Sequence, residues 1–88
     1  VRIVPNPFNS SMAVHFETTT AGSASVKVFD LRGRWVTELL SGTVSAGHQQ
    51  VCWDGVDVRG AEAAAGIYLV RVVTADGFVG VARAVLAK

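Results

Sequence analysis

Met12, Val14 and Phe16 alternate with Ala13, His15 and Glu17, large apolar against small or polar. A period of two predicts a strand with one buried face. Residues 25–30 repeat the pattern, with Val26 and Val28 on one side and Lys27 on the other. Residues 34–40 follow, with Trp35, Thr37 and Leu39 set against Val36, Glu38 and Leu40; further strands are expected over 48–53, 67–74 and 78–87. Breakers divide them. Asp30-Leu31-Arg32-Gly33 is a turn, Asp bonding back to the backbone at its first position and Gly accepting positive φ at its last. Residues 18–22 and 41–47 are expected loops. Residues 54–66 form the longest irregular stretch: Ala61, Ala63, Ala64 and Ala65 favour a helical turn, but Gly60 and Gly66 leave room for little more than one. Pro5 and Pro7 lack amide donors, so the first segment is an edge strand or an extended lead-in.

The register of the last hairpin follows from its charges. A two-residue turn at Asp76-Gly77 would put Arg71 on one face and Arg83 on the other. A three-residue loop, Ala75-Asp76-Gly77 with Gly77 left-handed, puts both arginines on one face. The opposite face then carries Tyr68, Val70 and Val72 against Phe78, Gly80, Ala82 and Ala84, apolar apart from one hydroxyl. A one-residue slip inverts every side chain, so the consistent face selects three residues. The arginine face also carries Leu69, Val73, Val79, Val81 and Val85, more apolar than a solvated sheet face requires. Either a neighbouring domain covers it or it is a docking surface, the competing reading being that the strand-end valines pack under loops.

Antiparallel strands at this spacing predict an all-β fold, an immunoglobulin-like antiparallel β-sandwich of about seven strands. Its expected core is Val14, Phe16, Val26, Val28, Val36, Trp53, Tyr68, Val70 and Val72, with the Tyr68 hydroxyl bonding back to an upstream loop. The 88 residues allow one domain. Half the residues are hydrophobic and 17% are charged, which excludes disorder. A net charge of +1 offers no field for polyphosphates, and nucleic acid is not an expected partner. No apolar run approaches the ~18 residues of a bilayer span, so membrane insertion is not expected. The chain opens without a secretory leader; an extracellular destination would need that signal on an upstream segment, so a fragment of a longer polypeptide is expected. Cys52 is the one cysteine, and between Val51 and Trp53 it is expected to pack as a small hydrophobe.

Catalytic chemistry is thinly supplied. His15 and His48 belong to no nucleophile motif and are expected at the surface. One Cys and two distant His do not make a zinc site. Asp54 and Asp57, with Glu62 beyond them, are weak calcium candidates; the competing reading is that Asp54 bonds to turn amides beside Gly55. Calcium is the sole cofactor these residues suggest, and no catalytic residue is assigned. Arg32, Arg34 and Trp35 straddle a hairpin, where charges usually form a solvated tip, although Trp35 on a sheet face could stack on carbohydrate. Trp53 is the expected core aromatic. Asn9-Ser10-Ser11 fits the N-glycosylation sequon.

Four landmarks recur in order: Pro5-Asn6-Pro7-Phe8-Asn9, Val28-Phe29-Asp30-Leu31-Arg32-Gly33-Arg34, Trp53-Asp54-Gly55 and Gly66-Ile67-Tyr68. Together they resemble the C-terminal sorting domains of the bacterial type IX secretion system and their relative, the immunoglobulin-like domain of the flagellar hook-capping protein. The resemblance runs from Pro5 to Lys88. It implies a non-catalytic module that directs secretion and cell-surface attachment of an upstream cargo domain. The implied partners are that upstream domain and the outer-membrane secretion machinery, with the protein secreted or held on the bacterial cell surface. In that family the recognised region is the final hairpin and its short tail. Carried over, it comprises Phe78, Val79, Gly80, Val81, Arg83, Val85, Leu86 and Lys88. Arg83 stands where the family has Lys or Arg, Ala84 where a larger apolar residue is usual, and Ala87-Lys88 is a minimal basic tail. Two alternatives stay open: a retained, self-associating assembly module as in the hook cap, and a carbohydrate-binding accessory domain.

Overall fold

A computed structural model describes residues 1–87. Seven strands form: β1 (Arg2–Val4), β2 (Met12–Thr18), β3 (Gly22–Asp30), β4 (Trp35–Val44), β5 (Gly47–Trp53), β6 (Gly66–Thr74) and β7 (Val79–Leu86). They make a three-stranded sheet in the order β1-β2-β5 and a four-stranded sheet in the order β4-β3-β6-β7. Every strand pairing is antiparallel. The architecture is the expected sandwich.

The inward positions are those the alternation selected. Met12, Val14 and Phe16 on β2 face Val26 and Val28 on β3 and Tyr68, Val70 and Val72 on β6 across one continuous core. Trp53, 1% exposed, ends β5 inside it. Its ring lies 5.6 Å from Phe8 and 5.1 Å from Tyr68, edge-on to the latter, an arrangement that aromatic quadrupoles favour. Both polar tips are satisfied by the long 54–66 loop: the indole N–H donates to the Val56 carbonyl at 2.9 Å and the Tyr68 hydroxyl to that of Ala64 at 2.6 Å. The loop is folded on itself rather than helical, through a bridge between Val56 and Glu62 and a bond from Ala63 N–H to Gly55 O. Val58 N–H reaches Val36 O and fastens the loop to β4.

Three expectations need correction here. Strand β4 runs on to Val44, through much of the expected 41–47 loop, because it keeps pairing with β3 as far as Gly22↔Val44. Its alternation is not strict: register shifts between Val26/Lys27 and between Val28/Phe29 insert extra residues. Bulges of this kind turn side chains out of phase, and Val36 is consequently only partly buried against the core it was expected to join. Phe78, placed on the inner face by the same counting, is 42% exposed at the start of β7. Its ring fills the space beside Gly80 that a Cβ there would need, 2.6 Å from that position.

The β6–β7 turn has the three-residue form, with Thr74 N–H bonded to Phe78 O at 3.0 Å and Gly77 at φ +89°. Its Asp76 does more than turn the chain. The carboxylate accepts from Thr19 N–H at 3.1 Å and from the Thr19 hydroxyl at 2.8 Å, in the loop after β2. It also accepts from the Thr74 hydroxyl and, at 3.2 Å, from Phe78 N–H. One side chain therefore ties the tip of the four-stranded sheet to the end of the other sheet. These donors, the Thr74 hydroxyl foremost, hold the Asp76 carboxyl far below the usual aspartate range.

Two predictions follow from these tethers. The folded-state depression of Asp76 means its stabilisation is complete above the ordinary value of 3.8 and is lost as pH falls through the folded value. Asp76→Asn should thus lower stability at pH 7, and its deficit against the wild type should narrow at pH 3; urea unfolding at both pH values measures this, and a deficit that does not change with pH refutes it. Tyr68→Phe should cost about 1 kcal/mol, the usual net value of such a hydrogen bond, by thermal unfolding.

Candidate docking surface

The outer face of the β6–β7 hairpin follows from its register: Val73↔Val79, Arg71↔Val81, Leu69↔Arg83 and Ile67↔Val85. Both arginines are on it, as the three-residue turn requires. Val79 is 61% exposed and Val81 59%, both far beyond a core valine. The face continues onto β3 through Lys27↔Arg71 and Phe29↔Leu69. The Arg71 guanidinium lies 5.0 Å from the Phe29 ring centre, within cation–π range. Trp35, half-exposed, pairs with Phe29 from the far edge strand. Lys27, Arg71 and Arg83 make this surface basic as well as apolar, with Glu38 facing Lys27 at 3.9 Å.

Strand β7 lies at the edge of its sheet, and the N-terminal segment covers only part of it. Asn6 mimics a strand residue: its Nδ2 donates to Arg83 O at 2.8 Å and its Oδ1 accepts from Val85 N–H at 2.9 Å. Phe8 N–H then bonds to Val85 O and Ala87 N–H to Phe8 O. In an antiparallel ladder the outward-pointing residues alternate. With Val85 outward, Val81 and Val79 also turn their N–H and C=O groups to the edge, where no described residue hydrogen-bonds to them, although the Val1 side chain lies against Gly80 between them. Unpaired edge groups beside exposed apolar side chains are the usual template for strand addition.

The other members of the expected recognition set are placed unevenly. Gly80 points inward beneath Phe78. Arg83 is exposed and Val85 half-buried. Leu86 is corrected: its side chain is buried and reaches within 3.5 Å of the position a Cβ on Gly55 would take, so it serves the core and offers no contact surface. Lys88 lies outside the described residues.

Cys52 is also corrected, from buried to exposed. Trp53 is inward, so its strand neighbour must face out, opposite Ala13. The loop carboxylates are engaged with amides: Asp54 accepts from Val56 N–H, and Asp57 from Arg59 and Ala61 N–H at 2.9 and 3.0 Å. Among the described residues no three His, Cys, Asp or Glu side chains converge on a metal position. At the β3–β4 turn, Asp30 holds Arg34 at 3.0 Å and accepts from the amides of Arg32 and Arg34, bonds that lower its pKa.

The histidines are at the surface, as expected, and there they meet. They are separated by 33 positions in sequence, yet His15 Nδ1 and His48 Nε2 are 3.0 Å apart. The pairing Glu17↔His48 and His15↔Gln50 makes them diagonal neighbours on the outer face of the three-stranded sheet. Alternation turns His15 outward; the missing piece is that β2 pairs with β5, a contact no local signal announces.

This arrangement of strands is found in solved structures. PorU of Porphyromonas gingivalis, in its dimeric latent form, superposes with a TM-score of 0.76 at 19% identity over 98% of the chain. PorZ, a surface component of the type IX secretion system of the same organism, gives 0.71 at 19% over 99%. FlgD of Xanthomonas campestris, a protein of hook capping, gives 0.67 at 27% over 91%. The chain spans only 9% of PorU, 11% of PorZ and 60% of that FlgD. No curated protein sequence matches it. Residues 4–77 fit the model of the FlgD Ig-like domain, from the end of β1 to the turn before β7. With its two sheets, its Trp53–Tyr68 core and the proline segment that buttresses the last strand, the chain belongs to the FlgD Ig-like domain family.

Proposed function

We propose that this domain is a non-catalytic delivery module: the C-terminal address of a longer secreted polypeptide, read by an outer-membrane secretion machine that exports and surface-attaches the upstream cargo. The observation that carries the proposal is the exposure of Val79 and Val81 on the outer face of β7. A solvated hairpin would not retain two adjacent outward valines; a docking strand uses them. The likeness to PorZ and PorU supports the type IX assignment, because PorZ is itself a surface component of that system. The domain supplies an edge and a face and needs no catalytic group.

An assembly role is the second reading. It is favoured by the FlgD family match and by the identity to a hook-capping FlgD. In that case the same strand edge joins copies or neighbouring domains, and the module is retained in the mature protein.

Fusing the domain to a reporter in a host with a type IX system separates the two. Truncating residues 78–88 would remove Leu86 from the core, so the informative variant is Val79→Asp with Val81→Asp. Both positions are exposed, and such changes usually shift stability by no more than about 0.5 kcal/mol each. Surface delivery by the wild-type fusion that the folded double variant loses is the expected result. Equal delivery by both overturns the docking role of β7. Retention of the wild-type fusion inside the cell, with concentration-dependent association of the isolated domain, supports assembly instead.

A further inference from the structure

We propose that His15 and His48 form a two-imidazole binding site for a divalent transition-metal ion of the nickel, copper or zinc class, on the outer face of the three-stranded sheet. The ring centres are 5.1 Å apart and the nearest nitrogens 3.0 Å, so those nitrogens point almost directly at one another. A tetrahedral metal with bonds of about 2.0–2.1 Å holds two nitrogens roughly 3.3 Å apart. Opening the pair by a few tenths of an ångström and swinging both rings toward solvent meets that requirement. The backbones beneath are fixed, because β2 and β5 pair continuously from Met12↔Trp53 to Thr18↔Gly47.

The electrostatic surroundings suit neutral imidazole. Partial burial, then the charge of Arg2 opposite on β1, then His48 itself lower the pKa of His15, which favours the form that ligates. Glu17, opposite His48 on the neighbouring strand, faces the same side of the sheet. It gives an incoming cation a negative neighbour to balance Arg2. Imidazole is a preferred ligand of this metal class, whereas Mg²⁺ and Ca²⁺ prefer oxygen.

As the rings stand, one N–H donates to the other ring's nitrogen. Ligation moves that proton to the far nitrogen of its own ring, so the two nitrogens present lone pairs and the net charge of the pair is unchanged. Two protein ligands leave the remaining coordination positions to water, so the site is weaker than a three- or four-ligand zinc centre.

The test is calorimetric titration of the tag-free chain with NiCl₂, CuCl₂ and ZnCl₂. Val1 lines the same hollow as Arg2, His15, Glu17, His48 and Phe78, so the α-amine of the tested chain is acetylated to remove it as a competing ligand. One-to-one binding is expected, tightest for copper. His15→Gln and His48→Gln should each weaken it by about tenfold or more, while Cys52→Ser leaves it intact. Circular dichroism confirms that each variant is folded; both imidazoles are at the surface, so the fold does not depend on them. No saturable binding by the wild type, unchanged affinity in the histidine variants, or loss confined to Cys52→Ser each overturns the site.

Discussion

The indole of Trp53 is the interaction on which the rest of the sandwich depends. It closes β5, fills the core between Phe8 and the edge of Tyr68, and sends its one donor to the Val56 carbonyl. The three contacts belong to three otherwise separate parts of the chain: the N-terminal segment, the four-stranded sheet and the long loop. Small domains bury a limited fraction of their surface, and a single large aromatic residue that joins three parts makes the most of it. The Tyr68 hydroxyl, bonded to Ala64, closes the same loop from its other end. A stretch without regular secondary structure is thereby as firmly placed as the strands beside it.

Fixing Phe8 against Trp53 has a consequence at the opposite edge. The same N-terminal segment is drawn along β7, where Asn6 and Phe8 take up the outward backbone groups of Arg83 and Val85. Toward the turn the segment continues as β1 in the other sheet, with Val1 against Gly80, and Val81 and Val79 expose their apolar side chains on the outer face. At the turn itself, Asp76 locks the hairpin to Thr19. The exposed stretch is thus held at both ends, by Asn6 on one side and Asp76 on the other. Strand addition to a rigid, pre-formed edge loses less conformational entropy than ordering a loose one.

What the sequence discloses is what depends on near neighbours. Alternation identifies the inward faces of β2, β3 and β6, and the two arginines with Gly77 settle the last hairpin, because each inference spans a few residues. The Asp30 turn is legible for the same reason. The misses are of two kinds. Cys52 is local, and strict application of the period that buried Trp53 would have turned it out. Val36, the His15–His48 contact and the Asp76–Thr19 tether depend on which strands meet and in what register. Bulges in β4 shift one of them, and the pairing of β2 with β5 creates another. A pattern read along one strand does not contain its partner.

The last strand shows the same division between inward and outward positions. The family match covers residues 4–77 and stops at the turn before β7. Within those limits lie Trp53, Tyr68, the Asn6 buttress and nearly all the core, the parts that make the domain a sandwich. Beyond them, Leu86 and Ala84 complete that core with inward side chains, while Val79, Val81 and Arg83 point the other way. Period-two geometry lets one strand do both, since substitutions on its outer face leave the inner face untouched. A delivery signal and an assembly contact can therefore be built on one scaffold by changing a few outward residues of the last strand. Membership of the family fixes the platform, and on the proposed function the outward residues of β7 carry what is placed on it.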